Sequence, residues 1–411
     1  MAQINITLNQ DEVVRLLASS DGDAFRLLLQ ESMNAFLRAE SDEQLGCARY
    51  ERSEARTDSR NGSRERPLTT RVGTVELAVP RHRNQPFRTM LFENYRRSEA
   101  ALVTAMAEMV VGGVSTAKVG RVMEEICGKS FSKQSVSEAC KELDAAVGRF
   151  RSRPLEGDYL FVMADATYLK VREEHRVRAK ALLIAIGLRR DGRKEVLGLE
   201  LADGETGSSW SAFLGSLRAR GLASFRMFTS DACEGLVSAL REVYPGVPWQ
   251  RCQSHLGRNV ADKAPKHLRA GLASELTDMF NQPDLASARR RRDEILADYR
   301  EAAPASAECL EAGFEDAMTV MALPAGMRRP TRTSNYIERL NREVKRRARV
   351  VGVFPNAASA LRLAGALLME TDERWARAGK AYYSPACAEL DAAAPALASI
   401  AEEQRRLRRA G

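Results

Sequence analysis

Apolar residues recur at three- and four-residue steps between positions 11 and 45. Val13, Val14, Leu16 and Leu17 come first, then Phe25, Leu27, Leu28, Leu29, Met33, Phe36 and Leu37. That spacing predicts helices that pack on one another or against a second subunit. Between 50 and 66 the chain turns to Arg, Ser, Glu and Asn with almost nothing apolar. Such a stretch reads as a solvated arm, either tracking DNA or serving as a linker. Val75, Leu77 and Val79 then alternate behind Gly73, the pattern of a short strand or hairpin, and Arg81, His82, Arg83 and Arg88 follow. Helical spacing returns over 99–111, Gly112-Gly113 interrupts it, and Ser115-Thr116 opens a helix carrying Val119, Val122, Met123 and Ile126. After Gly128 a third helix begins near Ser132. There Ser135 and Glu138 stand at capping-box spacing, and Val136, Ala139 and Leu143 form the stripe. Two short helices about a glycine-containing turn are compatible with a helix-turn-helix that aims Lys133, Gln134, Ser137 and Lys141 at a DNA groove. Ordinary helix packing gives the same pattern.

The segment 151–157, with Pro154, is a linker, and the periodicity behind it changes from helix to strand. Strand-like runs cover 160–171, 177–189 and 195–202, with Asp191-Gly192 as the turn between the second and third. Ser208 or Ser209 is placed to cap a helix bearing Trp210, Phe213, Leu214 and Leu217, which stops at Gly221. A strand at 225–229, a helix through Leu236, Leu240 and Val243, the breaker Pro245-Gly246 and a strand at 247–252 complete the order βββαβαβ. That order predicts an α/β RNase H-like catalytic core, in which three antiparallel strands precede parallel strands joined through helices. From 256 to 330 the pattern is helical throughout, broken near Pro265, Gln282-Pro283 and Pro304, and reads as an all-helical insertion. After Pro330 comes a helix with Ser334 at its cap position and Ile337, Leu340 and Val344 as its stripe. A further apolar helix spans 357–375, and an Ala-rich tail ends in Arg405-Arg-Leu-Arg-Arg409.

The expected division is therefore an N-terminal helical region with a basic arm (1–60) and a hairpin plus helix-turn-helix-like DNA-binding region (61–150). The catalytic core follows in two parts (158–255 and 331–375) around the insertion (256–330), with a helical tail (376–411). A length of 411 residues agrees with two to four domains, and 44% apolar residues suffice for a core in each. The net charge of +8 suggests nucleic acid or another polyanion as partner. Seven cysteines, spread from Cys47 to Cys387 without a CxxC pair, argue against a disulfide framework and for a reducing cytoplasm. No signal-peptide pattern and no bilayer-length apolar run is present, so a soluble cytoplasmic protein without a membrane partner is expected.

Within the run 158–171 one residue does not belong: Asp165, a carboxylate in the middle of strand-forming residues. Buried and unpaired it would cost several kcal/mol, so it is either neutralised by donors or holds a metal. In the expected core, the first and fourth strands end side by side and the last helix crosses near them. These places belong to Asp165, Asp231 and Glu338. At 100° per residue Glu338, Arg342, Lys345 and Arg349 share one helix face, while Glu343 points elsewhere. Converging carboxylates suit Mg²⁺ or Mn²⁺, and two ions about 3.5–4 Å apart serve in-line attack on a phosphodiester. The cations on the same face would follow phosphates. Taken alone, each acid has a plainer reading as a cap or salt-bridge partner, Asp231 as the cap of the helix after it. Cys252 and His255 are half of a zinc-like set with no second pair nearby, and they are read as packing or active-site neighbours.

Four stretches, Asp165-Ala-Thr-Tyr-Leu-Lys-Val-Arg172, Ser230-Asp-Ala-Cys-Glu-Gly-Leu236, Trp249-Gln-Arg-Cys-Gln-Ser-His-Leu-Gly-Arg-Asn259 and Ser334-Asn-Tyr-Ile-Glu-Arg-Leu-Asn-Arg-Glu-Val-Lys-Arg-Arg347, resemble motifs of bacterial Mutator-type insertion-sequence transposases. The likeness extends to Arg60-Asn-Gly-Ser-Arg-Glu-Arg-Pro-Leu-Thr-Thr-Arg71 and Gly113-Val-Ser-Thr116. The resemblance implies a DDE transposase with Asp165, Asp231 and Glu338 as catalytic acids and metal ligands, using two Mg²⁺ or Mn²⁺ ions. It places Cys252 and His255 in that superfamily's cysteine-or-aspartate, two-residue, histidine motif beside the active site. It makes the helix-turn-helix candidate the reader of terminal inverted repeats, and Tyr336 stands where relatives commonly have a small residue. Double-stranded DNA, as inverted repeats and as target, is the expected partner of a homodimer or larger assembly at the nucleoid. An RNase H-like nuclease and a non-catalytic regulator derived from a transposase are the alternatives.

Overall fold

The computed structural model describes residues 23–51, 53, 55–70, 73–89, 103–127, 132–383 and 387–407. The expected helix through Val13 to Leu17, the start of the 99–111 helix, the break at Gly128 and the last two arginines of the tail lie outside the described residues. Two compact units result, residues 1–106 with 116–139, and residues 107–115 with 140–411.

In the first unit α1 (Asp23–Leu45) lies against a two-stranded antiparallel hairpin, β1 (Arg60–Thr70) and β2 (Gly73–His82). Val75, Leu77 and Val79 alternate inward as their spacing requires and bury with Leu37 and Leu68. The basic stretch expected to be a solvated arm is a strand from Arg60 onward. Its polar composition misleads because Leu68 is its one residue in the apolar cluster, and β2 and α1 supply the rest. Arg60 is fixed by the Asp42 carboxylate and the Cys47 carbonyl. Helices α2 (Thr116–Cys127) and α3 (Lys133–Ala139) also belong to this unit, with Val119, Met123 and Val136 buried. The cap of α3 is Ser132, whose Oγ accepts the Ser135 N–H at 3.0 Å, rather than Ser135 with Glu138. The expected third helix is broken at Cys140-Lys141 and resumes as α4 (Glu142–Ser152).

The second unit is built on a five-stranded mixed sheet of order β5-β4-β3-β6-β7. Its strands are β3 (Tyr159–Glu173), β4 (Arg176–Arg189), β5 (Lys194–Ala202), β6 (Met227–Ser230) and β7 (Trp249–Arg251). β3, β4 and β5 pair antiparallel; β6 runs parallel to β3, and β7 parallel to β6. Glu174 and His175, both at positive φ, close the β3–β4 hairpin as a two-residue turn, the geometry that matches strand twist. Strand alternation sorts β3 into two faces. Phe161, Met163, Leu169 and Val171 bury with α12 (Asn335–Val351) and α13 (Ala357–Ala378). Val162 and Ala164 bury with α5 (Gly207–Ala219) and α6 (Glu234–Val243). Thr206, not Ser208 or Ser209, caps α5 by accepting the Ser209 N–H.

Between β7 and α12 run α7 (Gln253–Lys263), α8 (Arg269–Phe280), α9 (Leu285–Tyr299), α10 (Pro304–Ala317), a 3-10 turn and α11 (Ala325–Thr331). This is the expected helical insertion, and Leu256, Leu272, Leu276, Ile295, Leu310 and Phe314 give it its own core. Pro330 lies inside α11. The tail holds α14 (Cys387–Leu407). Gly235 in α6 lets that helix touch the loop ahead of α5. A Cβ there would stand 2.8 Å from the Glu205 carbonyl oxygen and 2.9 Å from the Gly207 nitrogen. Gly235→Ala should lower stability by about 1–3 kcal/mol in urea denaturation. Gly246→Ala, which meets nothing within 4 Å, should change it by less than about 0.5 kcal/mol.

Candidate active site

The register of β3 and β6 determines where two acids emerge. The last paired residues are Met163 and Thr229, and two residues farther along each strand lie Asp165 and Asp231. The carboxylates therefore leave neighbouring parallel strands at the same level. By alternation Asp165 shares the face of Phe161 and Met163, against α12. Its Oδ1 accepts the Ala166 N–H at 2.9 Å and its Oδ2 accepts Nδ2 of Asn341 at 3.0 Å. Burial, then the Asp231 charge, push the Asp165 carboxyl up to about 6, against the opposing effect of His255. Asp231 Oδ1 accepts the Cys233 N–H at 3.2 Å, but α6 starts only at Glu234 with Cys233 at its cap position. Asp231 thus braces the loop before the helix and does not cap it.

Glu338 lies in the first turn of α12, half-buried. Its Oε1 accepts Nη2 of Arg258 at 2.5 Å and lies 3.6 Å from Nε2 of His255. Behind it Cys252 is fully buried at the end of β7, and its Sγ accepts both the N–H and the hydroxyl of Ser334, each at 3.3 Å. Ser334 therefore does not cap α12 with its side chain, contrary to its sequence position. Burial acts to raise the Cys252 thiol pKa, but hydrogen bonding and charge from His255, with the Ser334 donors, turn the net shift downward. The same hydrogen bond raises the His255 pKa. One donor atom each from Cys252, His255 and Glu338 lie within 4.8 Å of one another, so the third partner of this pair comes from 83 to 86 residues downstream, beyond the reach of any spacing rule.

The two donor sets differ in chemistry. Asp165 and Asp231 offer only carboxylate oxygens, whose mutual repulsion a hard divalent cation relieves. Cys252, His255 and Glu338 form a softer sulfur-nitrogen-oxygen set, one donor short of a closed structural zinc site, and its sulfur is already engaged by Ser334.

Arg342, Lys345 and Arg349 are exposed on α12, as the helical wheel requires. Glu343 is turned to Arg346 and Arg347, which pull its carboxyl down to about 2. Lys133, Gln134 and Lys141 are exposed, and Ser137 is half-buried. Sequence reasoning missed Asn341 and Arg258. For Asn341 the signal was available: Ile337, Leu340, Asn341 and Val344 stand at i, i+3, i+4 and i+7, so a polar residue occupies a stripe position and is buried there. Its Oδ1 is buried without a hydrogen-bond partner, as is Thr167 Oγ1 on β3.

With this geometry in view, comparison with known proteins is decisive. The family described as "Transposase, Mutator family" matches residues 1–378. The chain belongs to the Mutator family of transposases. It is 39% identical over 386 residues to the transposase for insertion sequence element IS256 in transposon Tn4001 of Staphylococcus aureus, covering 93% of this chain and 99% of the relative. The transposase for element ISRM5 of Rhizobium meliloti (strain 1021) is 40% identical over 89% of this chain and 92% of its own. That for element IS1081 of Mycobacterium tuberculosis is 39% identical over 87% of each. This Mutator-family transposase is accordingly a DNA-processing enzyme, of a family that depends on divalent metal. Among its described residues no helix is long and apolar enough to cross a membrane.

The raised pKa of Asp165 has a consequence for stability. Its folded value, about 6, lies above the ordinary 3.8, so the neutral form is favoured in the fold. The associated stabilisation is complete below pH 3.8 and is lost as pH rises through 6. Asp165→Asn removes the ionisation, and the Asn341 amide, with its free Oδ1, can turn to meet the new donor. In EDTA at pH 7.5 this variant should be more stable than the parent by about 1–3 kcal/mol. The gain should shrink as pH falls from 6 to 4, as read by denaturant melts across that range.

Proposed function

We propose that this family member is a DDE transposase built on an RNase H-like core. It binds the terminal inverted repeats of an insertion sequence, cleaves DNA in a Mg²⁺-dependent reaction and joins 3′-hydroxyl ends to target DNA. The observation that carries the reading is the register of β3 and β6, which sets Asp165 and Asp231 level with each other beneath the helix bearing Glu338. The strand order, three antiparallel strands extended by two parallel ones, is the order such a core requires. Asp165, Asp231 and Glu338 would hold two Mg²⁺ or Mn²⁺ ions, which, when bound, activate the attacking oxygen and neutralise charge on the leaving one.

The chain's own residues prepare that chemistry. Asn341 orients one oxygen of Asp165, and the Ala166 N–H holds the other. Arg258 and His255 hold Glu338 in place, and a metal-ligand role would require its carboxylate to give up Arg258. Exposed Arg342, Lys345 and Arg349 then lie along the same helix for phosphate contact. Lys133, Gln134 and Ser137 serve the reading of the repeats, in a region where α2 and α3 form the paired helices, while Lys141, expected on the same helix, falls beyond the end of α3. Two ends must meet for joining, which calls for a homodimer or larger assembly. Strand joining separates this function from that of a plain nuclease on the same core.

Glu338→Gln keeps the shape and removes the charge. It should reduce Mg²⁺-dependent cleavage of inverted-repeat ends by about a thousandfold or more, the loss of several kcal/mol of transition-state stabilisation. Binding of the same ends, read by gel shift in EDTA, should persist; undiminished cleavage would sink the assignment of Glu338.

A further inference from the structure

We infer that a cleft beside Glu338, walled by Arg329, Arg332, Arg339 and Lys380 with Tyr336 and Tyr382, seats a single strand of DNA peeled from the duplex end. This inference rests on the reading that Glu338 acts on DNA ends, and it adds the form in which the DNA is held.

Charge is the first argument. The cleft encloses about 640 Å³ and has four cations and no carboxylate in its lining. Among the described residues none of the four makes an ion pair; Arg332 donates only to the Phe280 carbonyl and the Asn281 side-chain oxygen. In the neighbouring helical insertion several arginines are matched: Arg289 and Arg292 with Glu315, Arg291 with Glu275, Asp278 and Glu294. Four unmatched cations around one concavity call for an anion from outside.

The floor of the cleft is the second argument. Lys194 is buried at the start of β5, with its ammonium 4.2, 4.3 and 4.1 Å from the ring centres of Tyr336, Trp375 and Tyr382. The aromatic cage holds a fifth positive charge beneath the four and fixes the ring positions. Burial, then Arg339 and Lys380, bring the Lys194 pKa down to about 8, as expected in a field that is positive before any anion arrives.

Shape selects the form of the anion. Clefts of about 300–1,000 Å³ take compact ligands. A duplex presents its phosphates on a convex surface and suits the exposed outer face of α12, whereas a concavity admits a strand that leaves the duplex. Two neighbouring clefts of about 350 and 520 Å³ share Arg332 with it, and the second is also lined by Arg328 and Arg329, so cations continue along that side as a track. A charged groove with aromatic walls is the general form of single-strand sites. The track passes the chemistry directly, since Arg339 follows Glu338 and Ser254 precedes His255.

The test compares a blunt duplex with the same duplex carrying a single-stranded tail of about six nucleotides. Anisotropy is read on the full-length protein in EDTA over a salt series. The parent should bind the tailed DNA about tenfold more tightly. Arg339→Gln with Lys380→Gln, both at exposed positions, should abolish that preference and leave blunt-duplex affinity unchanged. The log–log salt slope for tailed DNA should fall by about 1.4, or 0.7 for each lost phosphate contact. Arg329→Gln should give half that fall and serves as the second variant. Equal parental affinity for the two DNAs, or equal losses on both in the variants, overturns the inference. Because no metal is present, that failure leaves the catalytic assignment standing, and an active Glu338→Gln would overturn the assignment without touching the groove.

Discussion

Two carboxylates held at the same level on adjacent parallel strands repel each other, and the rest of the second unit is arranged around that repulsion. The strands cannot shift to relieve it. β3 is paired along its whole length with β4, and a one-residue slip would turn Phe161 and Met163 onto the face packed by α5 and α6 and move Leu169 to the exposed side of Tyr168. The strain is therefore taken up chemically, as a raised Asp165 pKa, an Asn341 amide on one oxygen and a nearby imidazole. A divalent cation between the two carboxylates would relieve the same repulsion.

Glu338 is held in position by stitching. Thr229 Oγ1 on β6 donates to the Thr331 carbonyl, the Gln253 N–H to the Arg332 carbonyl, and Ser334 twice to Cys252. Three consecutive fastenings thus fix the approach to α12 on the ends of β6 and β7. On the far side Tyr336 sits over Lys194 with Tyr382. The large side chain at this position has a physical place as a wall of the lysine cage. The insertion disturbs none of this because it has its own core, and because the Gln250 and Gln253 amides both donate to the Ala317 carbonyl where it rejoins the sheet.

How much of this was legible in the sequence depended on whether a residue's partner was local. Asp165 announced itself by interrupting an apolar strand, and the order of strands and helices was readable because each element carries its own period. β1 was not: its stability comes from β2 and α1, so its own residues show no amphipathic signal. The cap at Ser334 was misread because its hydroxyl donates to Cys252, and those of α3 and α5 because these helices begin earlier, at Lys133 and Gly207. Arg258 and the cationic cleft were invisible, because Arg329, Arg339 and Lys380 resemble any surface charges until the fold shows that no acid lies among them. Asn341 falls between these cases, a polar residue at an apolar position that pointed to a partner without naming it.

The same logic gives the Cys252–His255 motif a physical meaning. Cys252 accepts two hydrogen bonds from Ser334 at the point where α12 would otherwise be capped by its own side chain, and His255 lies beside both. What the position requires is a buried acceptor able to carry negative charge next to an imidazole. An aspartate would meet that requirement as well as a cysteine. Fastening the helix to β7 in place of a self-contained cap makes the height of Glu338 over the sheet depend on the end of the strand ladder. Glu338 is thereby referenced to the same sheet that carries Asp165 and Asp231.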